Sequence, residues 1–87
     1  ASGKYTVYLE AVESGENMGA ITQKYLSYGV EPKQLSSAIT SYFKPIYVTL
    51  GPADRATMKG YLLNAYVRLG YDRDKKSKDI DKWLEDK

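Results

Sequence analysis

The sequence predicts an all-α fold, a compact bundle of four or five short helices with a bend at Pro45 in the central one. Three observations carry that prediction. Apolar side chains recur every three or four residues through most of the chain, the spacing of helices with one buried stripe. Glycines and prolines fall between those stretches, as helix ends and starts do. A two-residue alternation of strand length is absent save over residues 46–50.

Taken in order, residues 4–13 (KYTVYLEAVE) place Tyr5, Tyr8, Leu9 and Val12 on one face, and Ser14-Gly15 is the expected stop. A second helix is expected from Glu16 or Asn17 to Tyr28, with Met18, Ile21, Tyr25 and Tyr28 inward and Gly29 as its cap. Pro32 opens the next helix, because proline at a first helical position wastes no N–H and presets φ. This central segment holds the longest apolar run, Leu35 to Leu50, with Leu35, Ile39, Tyr42 or Phe43, Ile46 and Leu50 at helical spacing.

Pro45 has no N–H to give the carbonyl of Ser41, and its ring crowds that turn. The stripe nevertheless keeps its phase across it, so one bent helix or two short helices in line are expected at the centre of the domain. Gly51-Pro52 repeats the device of a glycine stop and a proline start. A fourth helix then runs from about Pro52 to Leu69, with Met58, Leu62, Ala65 and Leu69 inward and Tyr61, Leu63 and Tyr66 beside them. Gly60 inside it suggests a close helix crossing, and Gly70 caps the end. The charged run DRDKKSKD, residues 72–79, is read as a solvated turn or a first helical turn. A last helix buries Ile80, Trp83 and Leu84, with Trp83, the sole tryptophan, as its anchor.

Eighty-seven residues with 43% hydrophobic content suit a single domain with its own core. Cysteine and histidine are both absent. That removes thiolate chemistry, the commonest metal ligand and the commonest general base. A nucleophile would have to be Ser, Thr, Lys, Tyr or a carboxylate. The acidic residues fall singly or in surface-like groups (Glu10 and Glu13, Asp72 and Asp74, Asp79 and Asp81, Glu85 and Asp86), and GPADRATMKG lacks the phosphate-loop spacing. The expectation is therefore no enzyme, no cofactor and no metal. No run approaches the length that spans a bilayer, and the start shows no signal-peptide pattern. A net charge of +2 reads as a mixed, solvated surface rather than a basic patch. Nine tyrosines are the compositional oddity, expected chiefly in half-buried core seams.

Two local patterns point to partners. ITQKYLSYGVEPKQLSSAI has the outline of a helix-turn-helix, which would offer Lys33, Gln34, Ser36, Ser37 and Thr40 to DNA. Tyr25 stands where that motif wants alanine, and the would-be recognition helix carries only Lys33 before Lys44, which is thin support for phosphate contacts. The bend at Pro45 gives the second pattern: Lys44 beside it, and Tyr47 either turned outward as a contact residue or lying in the core.

Two resemblances accompany these readings. AVESGENMGAITQKYLSYGVEP resembles one unit of a pentatricopeptide-type solenoid, although the following residues do not repeat it. SSAITSYFKPIY, MKGYLLNAYVRLGY and DIDKWLEDK, together about residues 35–87, resemble a helical module at the C-terminal ends of large bacteriophage- or prophage-type proteins. The matching positions are Ser36, Ser37, Ile39, Thr40, Phe43, Lys44, Pro45, Tyr47, Lys82, Trp83 and Leu84. Phe43 departs from the tryptophan more usual there. This resemblance implies a domain excised from a longer protein, in a bacterial cytoplasm or a virion, and it transfers no site residues. The expected function is a non-enzymatic protein–protein interaction or assembly module of a phage-type or mobile-element protein, alternatively a small helix-turn-helix DNA-binding domain. The expected partner is another protein or the rest of the parent chain, with nucleic acid as the alternative and no membrane. Lys44, Tyr47, Lys33, Gln34 and Ser37 are the interaction candidates.

Overall fold

A computed structural model describes residues 6–13 and 17–85, and among them every regular element is a helix. Helix α1 is Thr6–Val12, α2 Met18–Ser27, α3 Pro32–Tyr47, α4 Pro52–Arg68 and α5 Arg73–Lys82. Tyr5, the Ser14-Gly15 stop and the Glu16 start lie outside the described residues. The predicted punctuation is present elsewhere. Pro32 and Pro52 each open a helix behind an extended residue, Glu31 and Gly51. Gly29 (φ +89°) and Gly70 (φ +97°) take the left-handed conformation that other residues resist. At Gly70 the cap is a full Schellman motif. The Tyr71 N–H donates to the Tyr66 carbonyl at 3.1 Å and the Gly70 N–H to that of Val67 at 3.0 Å.

Helix α3 runs unbroken through Pro45 to Tyr47. Pro45 sits in the last turn with its ring toward solvent, so the helix forgoes one bond close to its end rather than in its middle. Leu35, Ile39, Phe43 and Tyr47, each four residues on from the last, are all buried. Tyr47 is therefore a core residue, 3% exposed, with its ring edge-on to Trp83 at 5.6 Å. Of its two expected placements the core one holds: the uninterrupted phase of α3 carries position 47 inward, which removes Tyr47 from the interaction candidates. Trp83 does anchor the C-terminal segment, but from the turn that ends α5.

Three further differences have physical causes. The hub is α4, which meets α2, α3 and α5, whereas α3 meets α1 and α4. Leu62, Leu63, Ala65 and Tyr66 give α4 a wider buried arc than α3 has, so it can serve three neighbours. The buried face of α2 is Met18, Gly19 and Thr22, with Ile21 and Tyr25 half-buried and Tyr28 64% exposed. Gly19 is where two helices come close: a Cβ there would lie 3.4 Å from the Asn64 carbonyl oxygen of α4. Small residues let α2 settle on α4, and that rotates the larger ones to its flanks. At Gly60, the crossing expected from sequence, an added Cβ would meet nothing within 4 Å. For the charged run the helical one of its two expected readings holds, and it continues as most of α5. The Asp72 carboxylate accepts the Lys75 N–H at 3.0 Å, which starts α5 at Arg73.

Candidate functional site: an apolar groove beside α4

Two regions of the bundle concentrate aromatic and polar side chains. The first is a closed seam. The hydroxyls of Tyr8 and Thr22 are hydrogen-bonded at 2.9 Å, and those of Thr40 and Tyr66 at 2.7 Å. Burial pushes the Tyr8 phenol up and the Tyr66 phenol to about 12, each against the opposing effect of its threonine. Both stay protonated at neutral pH and are spent on their partners. Over the outer side of this seam, the Lys76 ammonium lies 4.3 Å from the Tyr66 ring centre and 4.5 Å from that of Tyr71, fastening α5 to the end of α4.

The second region is open. Val12, Glu13, Met18, Phe43, Leu50, Asp54, Thr57, Met58 and Tyr61 line a groove of about 220 Å³. Val12, Met18 and Phe43 are buried and form its floor, while Leu50, Met58 and Tyr61 are half-buried along its sides. Asp54, Thr57, Met58 and Tyr61 stand at i, i+3, i+4 and i+7 on α4 and so share one face. The α3–α4 turn that carries Leu50 is held by the Arg55 guanidinium, which donates to the Leu50 carbonyl at 2.6 Å. On the opposite side, the Tyr42 hydroxyl donates to the Glu13 carboxylate. That bond, then partial desolvation and the charges of Glu13 and Glu10, hold the Tyr42 phenol above its ordinary value. The chain has two methionines, Met18 and Met58, and both line this groove.

Chemically the groove is an apolar depression with acidic edges. Its volume is below the roughly 300–1,000 Å³ of pockets that enclose small organic ligands. It has room for one or two large apolar side chains. No group of three or more carboxylates able to hold a metal ion occurs among the described residues. No helix among them is long and apolar enough to cross a membrane.

The residues singled out from sequence lie mostly elsewhere. Lys33, Gln34 and Ser37 are exposed on the outward side of α3, and Lys44 is half-buried on the same helix. Lys33, Ser37 and Lys44, at i, i+4 and i+11, fall in one narrow sector of α3. Ser36 is buried and Thr40 is bonded to Tyr66, so neither faces outward. Tyr25, which a helix-turn-helix would set at the α2–α3 crossing, packs instead on Tyr8 of α1, with ring centres 4.9 Å apart. The groove residues were missed because they come from four separate parts of the chain. The faint signal was the restriction of methionine, an adaptable apolar side chain, to two positions.

No protein-family model, curated protein or solved structure matches this chain.

Proposed function

We propose that this domain is a non-enzymatic protein–protein interaction or assembly module that receives apolar side chains of its partner in the groove beside α4. The observation that carries the reading is the groove itself, an open depression floored by Phe43 and Met18 and edged by Leu50, Met58 and Tyr61. Interfaces draw their energy from a few large apolar side chains seated in such depressions, and methionines adapt their shape to what enters. The resemblance of residues 35–87 to a terminal module of phage-type proteins extends the proposal to a phage-type or mobile-element context. The partner is then another protein of that system or the remainder of the parent chain.

Site-specific photo-crosslinking tests this. A photoreactive residue in place of Thr57, exposed on the groove edge, should give discrete protein adducts that Met58→Lys abolishes. The same residue in place of Ser37, on the outward side of α3, should give none. Adducts from Ser37 alone would move the interface to α3. A salt-sensitive shift of duplex DNA that Lys33→Gln and Lys44→Gln remove would replace the proposal with DNA binding.

A further inference from the structure

The charges around the groove narrow the kind of partner it fits. Among the described residues the two charged ones in its lining, Glu13 and Asp54, are both acidic, and they come from different helical regions. Glu10 stands one turn before Glu13 on α1, close enough to act on the same Tyr42 phenol. Two nearby cations are directed elsewhere: Arg55 donates to the Leu50 carbonyl, and Lys59 pairs with Asp81 of α5 at 2.6 Å. Carboxylates thus flank an apolar floor.

We infer, on the footing of the interaction reading above, that the occupant of this groove is a basic amphipathic helix: apolar side chains on one of its faces seat over Phe43, Met18 and Met58 while flanking lysines or arginines meet Glu13 and Asp54. An acidic peptide, a nucleic acid or an anionic lipid surface brings its charge against the same carboxylates and is disfavoured. The basic α5 of a second copy is a poor occupant, because Ile80 and Trp83, the apolar anchors of that segment, are already buried at home. The Glu13 carboxylate is held in place by Tyr42, so one of the two attachment points is set before the partner arrives.

The two methionines supply a direct readout, since a protein labelled with ¹³C-methyl methionine reports on the groove with both of its signals. Met18→Leu and Met58→Leu assign them. The probes are a short helical peptide with Leu and Phe on one face and Lys on its flanks, and its counterpart with Glu in place of Lys. The Lys peptide should move both methyl signals and bind about five- to tenfold more weakly to the Glu13→Gln/Asp54→Asn double variant, as expected for two exposed charge pairs. Gln at position 13 keeps an acceptor for Tyr42, and an unchanged thermal midpoint verifies the fold. Equal binding of the Glu peptide, or no effect of the double variant, overturns the basic preference while leaving the interaction reading intact. Methyl shifts that depend on protein concentration alone replace the basic helix by a second copy. If neither peptide moves either signal while the Thr57 adducts form, the basic helix is refuted and the module is not. If both experiments fail, the interaction reading falls with it.

Discussion

The two halves of α4 continue one face but use it to different ends. From Leu62 onward, Leu62, Leu63, Ala65, Tyr66 and Leu69 are all buried, and the one buried phenol among them is hydrogen-bonded to α3. Between Pro52 and Tyr61 no residue is buried, although Met58 and Tyr61 continue the same face. The difference lies in what each half meets. The later half is approached by α2 at Gly19, by α3 through Thr40 and by α5, which comes straight back after Gly70. The earlier half faces the exit of α1, the entry of α2, the turn that leaves α3 and, at Lys59, the end of α5, so its neighbours are helix ends that do not close over it. Composition sets part of this difference, since Met58 and Tyr61 are the only large apolar side chains of the earlier half, and the helix ends beside them leave both half-covered.

The sharpest way to break this comparison is to truncate both halves. Tyr66→Ala should cost about 3–5 kcal/mol in denaturant unfolding, because it opens a cavity and strands the Thr40 hydroxyl. Met58→Ala should cost less than about 1 kcal/mol, as a half-buried groove residue. Comparable losses would show that the groove is part of the core.

Alkaline titration comes next. The Tyr66 phenol ionises near 10.0 in the unfolded chain and near 12 in the folded one, so the folded state holds its proton more tightly. Its contribution is complete below pH 10 and is lost as the pH rises to about 12, a decline of roughly 2–3 kcal/mol. The raised Tyr8 phenol acts in the same direction. Tyr66→Phe should flatten this decline, as chemical unfolding at a series of alkaline pH values would reveal.

The helix contact that closes the later half is tested at its glycine. Gly19→Leu puts a large side chain into the contact with Asn64 and should cost about 1–3 kcal/mol, whereas Gly60→Ala, which meets nothing, should raise stability by up to about 1 kcal/mol. Equal effects at the two sites would remove Gly19 from its role as the close approach. The smallest effect is expected at the start of α5. Asp72→Ala deletes the bond to the Lys75 N–H and should cost about 1 kcal/mol, with faster amide exchange confined to residues 73–76.

Much of the fold was legible in the chain because helix ends are local chemistry. The prolines at 32 and 52 and the glycines at 29 and 70 each act within one turn, and each does in space what its type suggests. The direction of a helix face was less legible where small residues compete with large ones. On α2 Met18 went inward as expected, but the pull of Ile21, Tyr25 and Tyr28 was outweighed by the closer packing that Gly19 and Thr22 allow. Tyr47 was ambiguous because Pro45 can either break a helix or ride in its last turn, and only the second choice keeps position 47 inside. The groove was not legible at all. Its lining joins the ends of α1 and α3 to the starts of α2 and α4, and no window of sequence contains that meeting.

The placement of both sulfur atoms of this cysteine-free chain in one depression has a chemical corollary. Peroxide turns a thioether into a polar sulfoxide, and Met58, the more accessible of the pair, takes the first oxygen. The same depression thus holds every oxidisable thioether of the chain, and oxidation there would turn part of its apolar lining polar.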